Sequence, residues 1–248
     1  MRAASCYKPK QGNPNKPDGE DAHFIIPWLQ TICVADGVGG YAKHGIDSGE
    51  YSRGILSNII MAFVDSPLSC DSPPIDFPYL SRILNKGYTN TCVPGASTLC
   101  LVTLSGHDLL CLNVGDSGFR VIREGKTVYS SSPQVTGFNH PYQLGVYSDN
   151  LWLASKIRVR VEIGDVVVVA TDGLFDNVFL EDLEKLVNYG KRNNDTPDNL
   201  AKTITEYARI KSLDTYYRSP FRVEAEKVGK KSMGGKKDDI TVVVAYIE

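Results

Sequence analysis

The chain has no apolar run near the ~18 residues that a membrane-crossing helix needs; runs such as Val166–Ala170 are far shorter. Membrane insertion is therefore not expected. The first residues, MRAASCYKPK, lack the apolar stretch of a secretory signal. Cysteine is sparse: six in 248 residues, with no CxxC pair and no histidine at zinc spacing. That excludes a disulfide scaffold and argues against a structural zinc site. The expected setting is intracellular: cytoplasm or nucleus, or plastid or mitochondrion if this is a mature form. Charge of one sign is also missing. Lys+Arg number 27 against 29 Asp+Glu, so no basic footprint marks a nucleic-acid binder.

What remains is ordinary globular usage, 42% hydrophobic and 23% charged. No repeat and no linker divides the chain, so residues 1–248 are read as one domain, expected to be monomeric. Ser5–Asp21 reads as a loop, Ala22–Pro27 and Thr31–Ala35 as strands. A glycine-rich turn, Asp36–Gly40, leads to a helix capped by Asp47 or Ser48, and a second helix spans about Asp76–Asn90. Strands follow at Ser97–Leu104, Leu109–Val114, Phe119–Arg123 and Thr127–Ser130. In Lys156–Ile163 the isoleucines and valines alternate with charges, which predicts one wet face with Ile163 inward. Val166–Thr171 and Ile240–Ile247 do not alternate and read as strands buried on both faces. Leu180–Asn188 and Pro197–Leu213 are amphipathic, and Lys227–Lys237 reads as a basic loop. This order is not a βαβ alternation. It predicts an α+β fold with helices packed outside two mostly antiparallel sheets.

The chemistry lies in where the acids fall. Apolar strands run into Asp36-Gly37, Asp116-Ser117 and Asp172-Gly173, while Glu20-Asp21 and Asp238-Asp239 open strands. Any one Asp-Gly is an ordinary turn. Together they can gather at one sheet edge, where crowded carboxylates stay ionised only beside a cation. All-oxygen ligands select Mg²⁺ or Mn²⁺. A dinucleotide-binding reading of Gly37-Val38-Gly39-Gly40-Tyr41-Ala42 fails, because Asp36 would face the pyrophosphate.

In order, Glu20-Asp21, Asp36-Gly37-Val38-Gly39-Gly40, Gly95-Ala96-Ser97-Thr98, Gly115-Asp116-Ser117, Thr171-Asp172-Gly173 and Asp238-Asp239-Ile240-Thr241 resemble the motifs of the metal-dependent protein phosphatase 2C family. Gly19–Ala22, Pro141–Leu144, Ser219-Pro220-Phe221 and Gly234-Gly235-Lys236 resemble its mitochondrial- and plastid-type eukaryotic branch. The resemblance implies a four-layer α-β-β-α sandwich. It implies a serine/threonine protein phosphatase with a phosphoprotein substrate and two Mg²⁺ or Mn²⁺ ions. Asp36 would bridge the ions, Glu20 and the Gly37 carbonyl would complete one, and Asp172 and Asp238 would hold the other. Asp21, Asp116 and Asp239 would orient ligands and waters. A two-metal centre would activate water for in-line attack; the absence of a CxxxxxR loop agrees with a reaction that forms no phosphoenzyme.

The chain departs from the pattern twice. Val38 stands where many members place a proton-donating histidine. Lys16 stands where many place an arginine to clamp phosphate, and it offers a point charge in place of a fork. The histidine missing at Val38 leaves an alternative function, a catalytically weak pseudophosphatase that binds phosphoproteins or scaffolds a complex. His23, His107 and His140 read as structural or solvated, and His44 as able to reach the site. Substrate choice is expected in Pro133–Ser155.

Overall fold

The computed structural model describes residues 1–10, 18–68, 73–145 and 153–248. In chain order the strands are β1 (Arg2–Lys8), β2 (Asp21–Ile26), β3 (Thr31–Asp36), β4 (Ala96–Ser97), β5 (Leu99–Ser105), β6 (Asp108–Val114), β7 (Gly118–Arg123) and β8 (Lys126–Ser130). The short β9 (Val135–Gly137), β10 (His140–Pro141) and β11 (Leu144–Gly145) follow, then β12 (Ser155–Arg160), β13 (Val166–Ala170) and β14 (Ile240–Tyr246). The helices are α1 (Ser48–Val64), α2 (Phe77–Thr89), α3 (Asp172–Phe175), α4 (Leu180–Arg192), α5 (Pro197–Leu213) and α6 (Pro220–Lys227). None is long and apolar enough to cross a membrane.

Two five-stranded antiparallel sheets carry the structure, in the orders β1-β14-β13-β7-β8 and β12-β6-β5-β3-β2. Alternation along each buried strand sorts its side chains into two layers. Val167, Val169, Val243 and Ala245 meet Ile32, Val34, Val102 and Cys111 between the sheets. Val168, Ala170, Val242 and Val244 turn outward onto Leu183, Val187, Leu200 and Ile204 of α4 and α5. On the other sheet Cys33, Leu99, Leu101 and Leu112 pack under Ile55 and Ile59 of α1 and Leu80 and Leu84 of α2. The result is a four-layer α-β-β-α sandwich. Its inner strands are apolar on both faces because both faces are covered.

Helix ends follow their local chemistry. The Asp47 carboxylate accepts from the Gly49 N–H at 3.0 Å, and Asp76 accepts from Tyr79 N–H at 2.8 Å. At Gly87 a Cβ would stand 2.3 Å from Ile59 Cγ1, so the missing side chain lets α1 and α2 approach closely.

Three expectations need correction. Arg2–Lys8, including residues read as loop, is an edge strand paired with β14 from Arg2↔Tyr246 to Lys8↔Ile240. It is only half-buried and mixes small, polar and charged residues, so it carries no period-two signal. Pro220–Lys227 forms α6, capped by Ser219, where no helix was read. Ile163 is 82% exposed instead of inward: β12 ends at Arg160, and Gly164 turns the chain with φ +98°.

Candidate metal centre

Strand register brings the acids together. Asp21 opens β2 directly opposite Asp36, which closes β3. Asp116 lies in the turn between β6 and β7, Asp172 starts α3 directly after β13, and Asp238-Asp239 immediately precede β14. Ala170 pairs with both Gly118 and Val242, so these ends lie side by side. Glycines permit the close approach. A Cβ on Gly37 would stand 2.6 Å from the Glu20 and Ser48 carbonyl oxygens, and one on Gly173 would stand 1.9 Å from the Asp239 carbonyl. Gly39 leaves room for Glu20, whose Oε2 lies 3.0 Å from where its Cβ would be.

Each acid has its own surroundings. Asp21 is buried; its Oδ2 accepts from Thr241 Oγ1 at 2.7 Å and from Thr171 Oγ1 at 2.9 Å. Asp239 is also buried and serves the backbone. Its carboxylate accepts from the Lys10 N–H at 2.6 Å, the Glu20 N–H at 2.8 Å and the Tyr7 hydroxyl at 3.2 Å. That fastens β1 and the Glu20 segment to the start of β14. Asp238 turns the other way, towards Lys236 at 3.2 Å and Lys10 at 3.7 Å.

The electrostatics are those of carboxylates crowded under protein. Burial, then the charges of Asp21, Asp172, Asp238 and Asp116, push the Asp36 carboxyl well above the ordinary range. Burial and Asp239 raise Asp21, and burial and Asp172 raise Asp238. Burial and Asp172 push Asp116 up to about 8, even against Lys236. Burial lifts Asp176 to about 7.

A hard divalent cation suits this donor set. Asp21 Oδ1, Asp116 Oδ1 and Asp172 Oδ1 are buried without a hydrogen-bond partner, and carboxylate oxygens are the hard donors that such an ion takes. Such oxygens are costly to bury unless something positive satisfies them. Among the described residues the carboxylates do not close into a preformed metal cage. The Lys236 ammonium sits among three of them instead, bonded to Asp172 and 2.8 Å from Asp176.

Asp176 was missed as a site residue, and Lys236, close to Asp238 in the chain, was read as part of a basic loop. Asp176 follows Asp172 by four residues, one helical turn, and that spacing was a usable signal. Lys16 lies outside the described residues, as do residues 146–152 of the segment expected to choose substrate. His44 is exposed at the end of the short turn Gly39–His44. His23 is partly buried, with Nε2 2.9 Å from Ser5 Oγ between β1 and β2.

Known proteins resemble the chain over its whole length. Probable protein phosphatase 2C 55 of Arabidopsis thaliana is 41% identical over 99% of the chain, which spans 51% of that relative. Putative protein phosphatase 2C 24 of Oryza sativa subsp. japonica is 36% identical over 100% of the chain and 76% of the relative. The chain belongs to the protein phosphatase 2C family. No family model matches it. The X-ray structure of the photosystem II phosphatase PBCP superposes with a TM-score of 0.87 at 29% identity, covering 99% of this chain and 98% of that one. The catalytic domain of the phosphatase PstP, solved with 2 manganese ions, shares the fold at TM-score 0.70 and 17% identity, covering 100% and 98% of the two chains. The α+β sandwich is thus the fold of both of these solved phosphatases. The chain spans about half the length of the first relative.

Proposed function

We propose that residues 1–248 form one monomeric catalytic domain that hydrolyses phosphoserine and phosphothreonine in proteins. The observation that carries this reading is the convergence of Glu20, Asp21, Asp36, Asp116, Asp172 and Asp238 at one end of the sandwich. Three of these carboxylates keep a buried oxygen with no partner. Family membership and the manganese-bearing fold neighbour support it.

Asp36 is assigned as the carboxylate that two Mg²⁺ or Mn²⁺ ions would share. Glu20 and the Gly37 carbonyl are assigned to one ion, Asp172 and Asp238 to the other. Bound there, the ions supply an acidified water and neutralise charge on the phosphoryl oxygens. The chain's own groups hold this arrangement. Thr171 and Thr241 fix Asp21, Asp239 fixes the backbone of Glu20, and the Gly37 N–H donates to the Glu20 carbonyl at 3.1 Å. Val38 brings no proton to the leaving oxygen. Lys16 is proposed to attract the phosphate dianion. The site is intracellular in this reading, and PBCP makes a plastid the first compartment to examine.

The pseudophosphatase reading draws on Val38 alone. Phosphate release from a phosphothreonine peptide in Mn²⁺ separates the two. The wild-type protein releases phosphate, and Asp36→Asn loses at least ~100-fold in turnover with its circular dichroism unchanged. Peptide binding without phosphate release by the wild type would make it a binding module.

A further inference from the structure

Two motifs of the chain have no part in the reading above: Ser219-Pro220-Phe221 and Gly234-Gly235-Lys236. The fold brings them together. Ser219 is fully buried, caps α6, and its hydroxyl donates to the Gly234 carbonyl at 2.8 Å. The Lys236 ammonium lies 5.2 Å from the centre of the Phe221 ring. Gly234 has φ +73°, and a Cβ there would stand 2.5 Å from the Asp214 carbonyl. A Cβ on Gly235 would stand 2.1 Å from the Lys211 carbonyl. The two glycines therefore let the chain run pressed against the end of α5.

The next residue is gripped through its backbone. The fully buried Asn177 side chain accepts from the Lys236 N–H at 2.8 Å and donates to the Lys236 carbonyl at 2.9 Å. Its amide also donates to the Gly173 carbonyl at 2.9 Å, so Lys236 is tied to the α3 turn that carries Asp172. The side chain is 15% exposed, and its ammonium touches Asp172, Asp176 at 2.8 Å and Asp238 at 3.2 Å. A lysine this buried and this held is a built feature and not a solvated loop charge.

We propose that Lys236 is a tethered counter-cation that competes with divalent metal for Asp172 and Asp238 and is expelled from them when metal enters. This rests on the metal-centre reading of the acidic edge. The ammonium bonds Asp172 through Oδ2, whereas Asp172 Oδ1 is buried without a partner, so the carboxylate keeps a free donor face for an arriving ion. Once the ion is bound, the ammonium and a 2+ charge on the same carboxylates repel within a few ångströms, where little water screens them. The lysine then moves off while Asn177 keeps its backbone in place. Its charge also answers the acids before metal arrives, so the metal-free fold need not carry them unpaired.

Mn²⁺ binding measured by titration calorimetry on metal-stripped wild type and Lys236→Met tests this. Methionine keeps the length and removes the charge. The variant is expected to bind Mn²⁺ at least ~10-fold more tightly, with a lower melting temperature in EDTA and a larger rise on adding metal. Equal or weaker binding by the variant, with wild type binding normally, overturns the inference and leaves the metal centre standing. Failure of both proteins to bind Mn²⁺ overturns the metal centre and the inference with it. A second measurement uses wild type alone, in case the variant does not fold. Acetylation of Lys236 by an amine-reactive ester, followed by mass spectrometry, is expected to rise several-fold in saturating Mn²⁺. Unchanged or reduced labelling overturns expulsion.

Discussion

The Thr241 hydroxyl on β14 donates to the Asp21 carboxylate on β2 at 2.7 Å, joining one sheet to the other at the end where the acids collect. Thr171 adds a second bond across the same gap at 2.9 Å. The sandwich is therefore closed at this edge by polar bonds, whereas its middle is held by apolar packing. Asp21 is thereby fixed opposite Asp36, and the position of the proposed bridging ligand depends on both sheets.

Thr241→Val tests that tie. The substitution keeps shape and removes one donor from a buried carboxylate. The expected loss is about 1–3 kcal/mol in urea unfolding of the metal-free protein. A midpoint equal to wild type would show that the bond contributes nothing.

Acidity should govern the metal-free stability in an unusual direction. Asp116 is pushed up to about 8 and Asp176 to about 7 by burial among charges. In the unfolded chain both titrate near ~4. Between about pH 4 and 8 the folded protein thus holds protons that the unfolded chain has released, so stability falls as pH rises. The melting temperature in EDTA is expected to be higher at pH 5.5 than at pH 8. Saturating Mn²⁺ should flatten that slope, because metal takes the place of the protons. A melting temperature in EDTA that climbs from pH 5.5 to pH 8 would contradict the assignment.

Val38→His examines the missing proton donor. The Val38 backbone is fixed on both sides, its N–H to the Ala96 carbonyl at 2.9 Å and its carbonyl to the Ser48 hydroxyl at 2.7 Å. The change therefore alters the side chain alone. Turnover of phosphoserine peptides should rise several-fold, and that of p-nitrophenyl phosphate, whose leaving group needs no proton, should not. Equal effects on both would show that proton donation does not limit the rate.

The layers were legible because β13 and β14 show no polar alternation while β12 alternates, and because Asp47 and Asp76 cap the helices that follow them. The acids were legible because each ends or opens an apolar strand. Two kinds of feature were not. β1 is a half-buried edge strand, so its pairing with β14 leaves no periodic trace across more than 200 residues of separation. Lys236 stands in the Gly234-Gly235-Lys236 motif at the end of a basic run, which does not show that its ammonium enters the acidic edge. What singles it out is Asn177, 59 residues earlier, and the Phe221 ring, and such contacts have no local spacing to read.

Asp165 provides a control far from the chemistry. It is 1% exposed, lies at the opposite end of β13 from Asp172, and accepts from Arg123 Nε at 2.8 Å and Nη2 at 2.9 Å. Asp165→Ala removes the buried acceptor of both bonds, while Arg123 keeps Glu162 at 2.6 Å, and should lower the urea midpoint. Phosphate release per folded molecule should stay at the wild-type value. A stable variant, or one that is inactive while folded, would refute the separation of the two ends.

The most direct measurement is phosphate release from a phosphothreonine peptide by metal-stripped protein, in EDTA and then with Mn²⁺ or Mg²⁺ restored. The account predicts no release in EDTA and recovery with either ion. Full release in EDTA after stripping would contradict it.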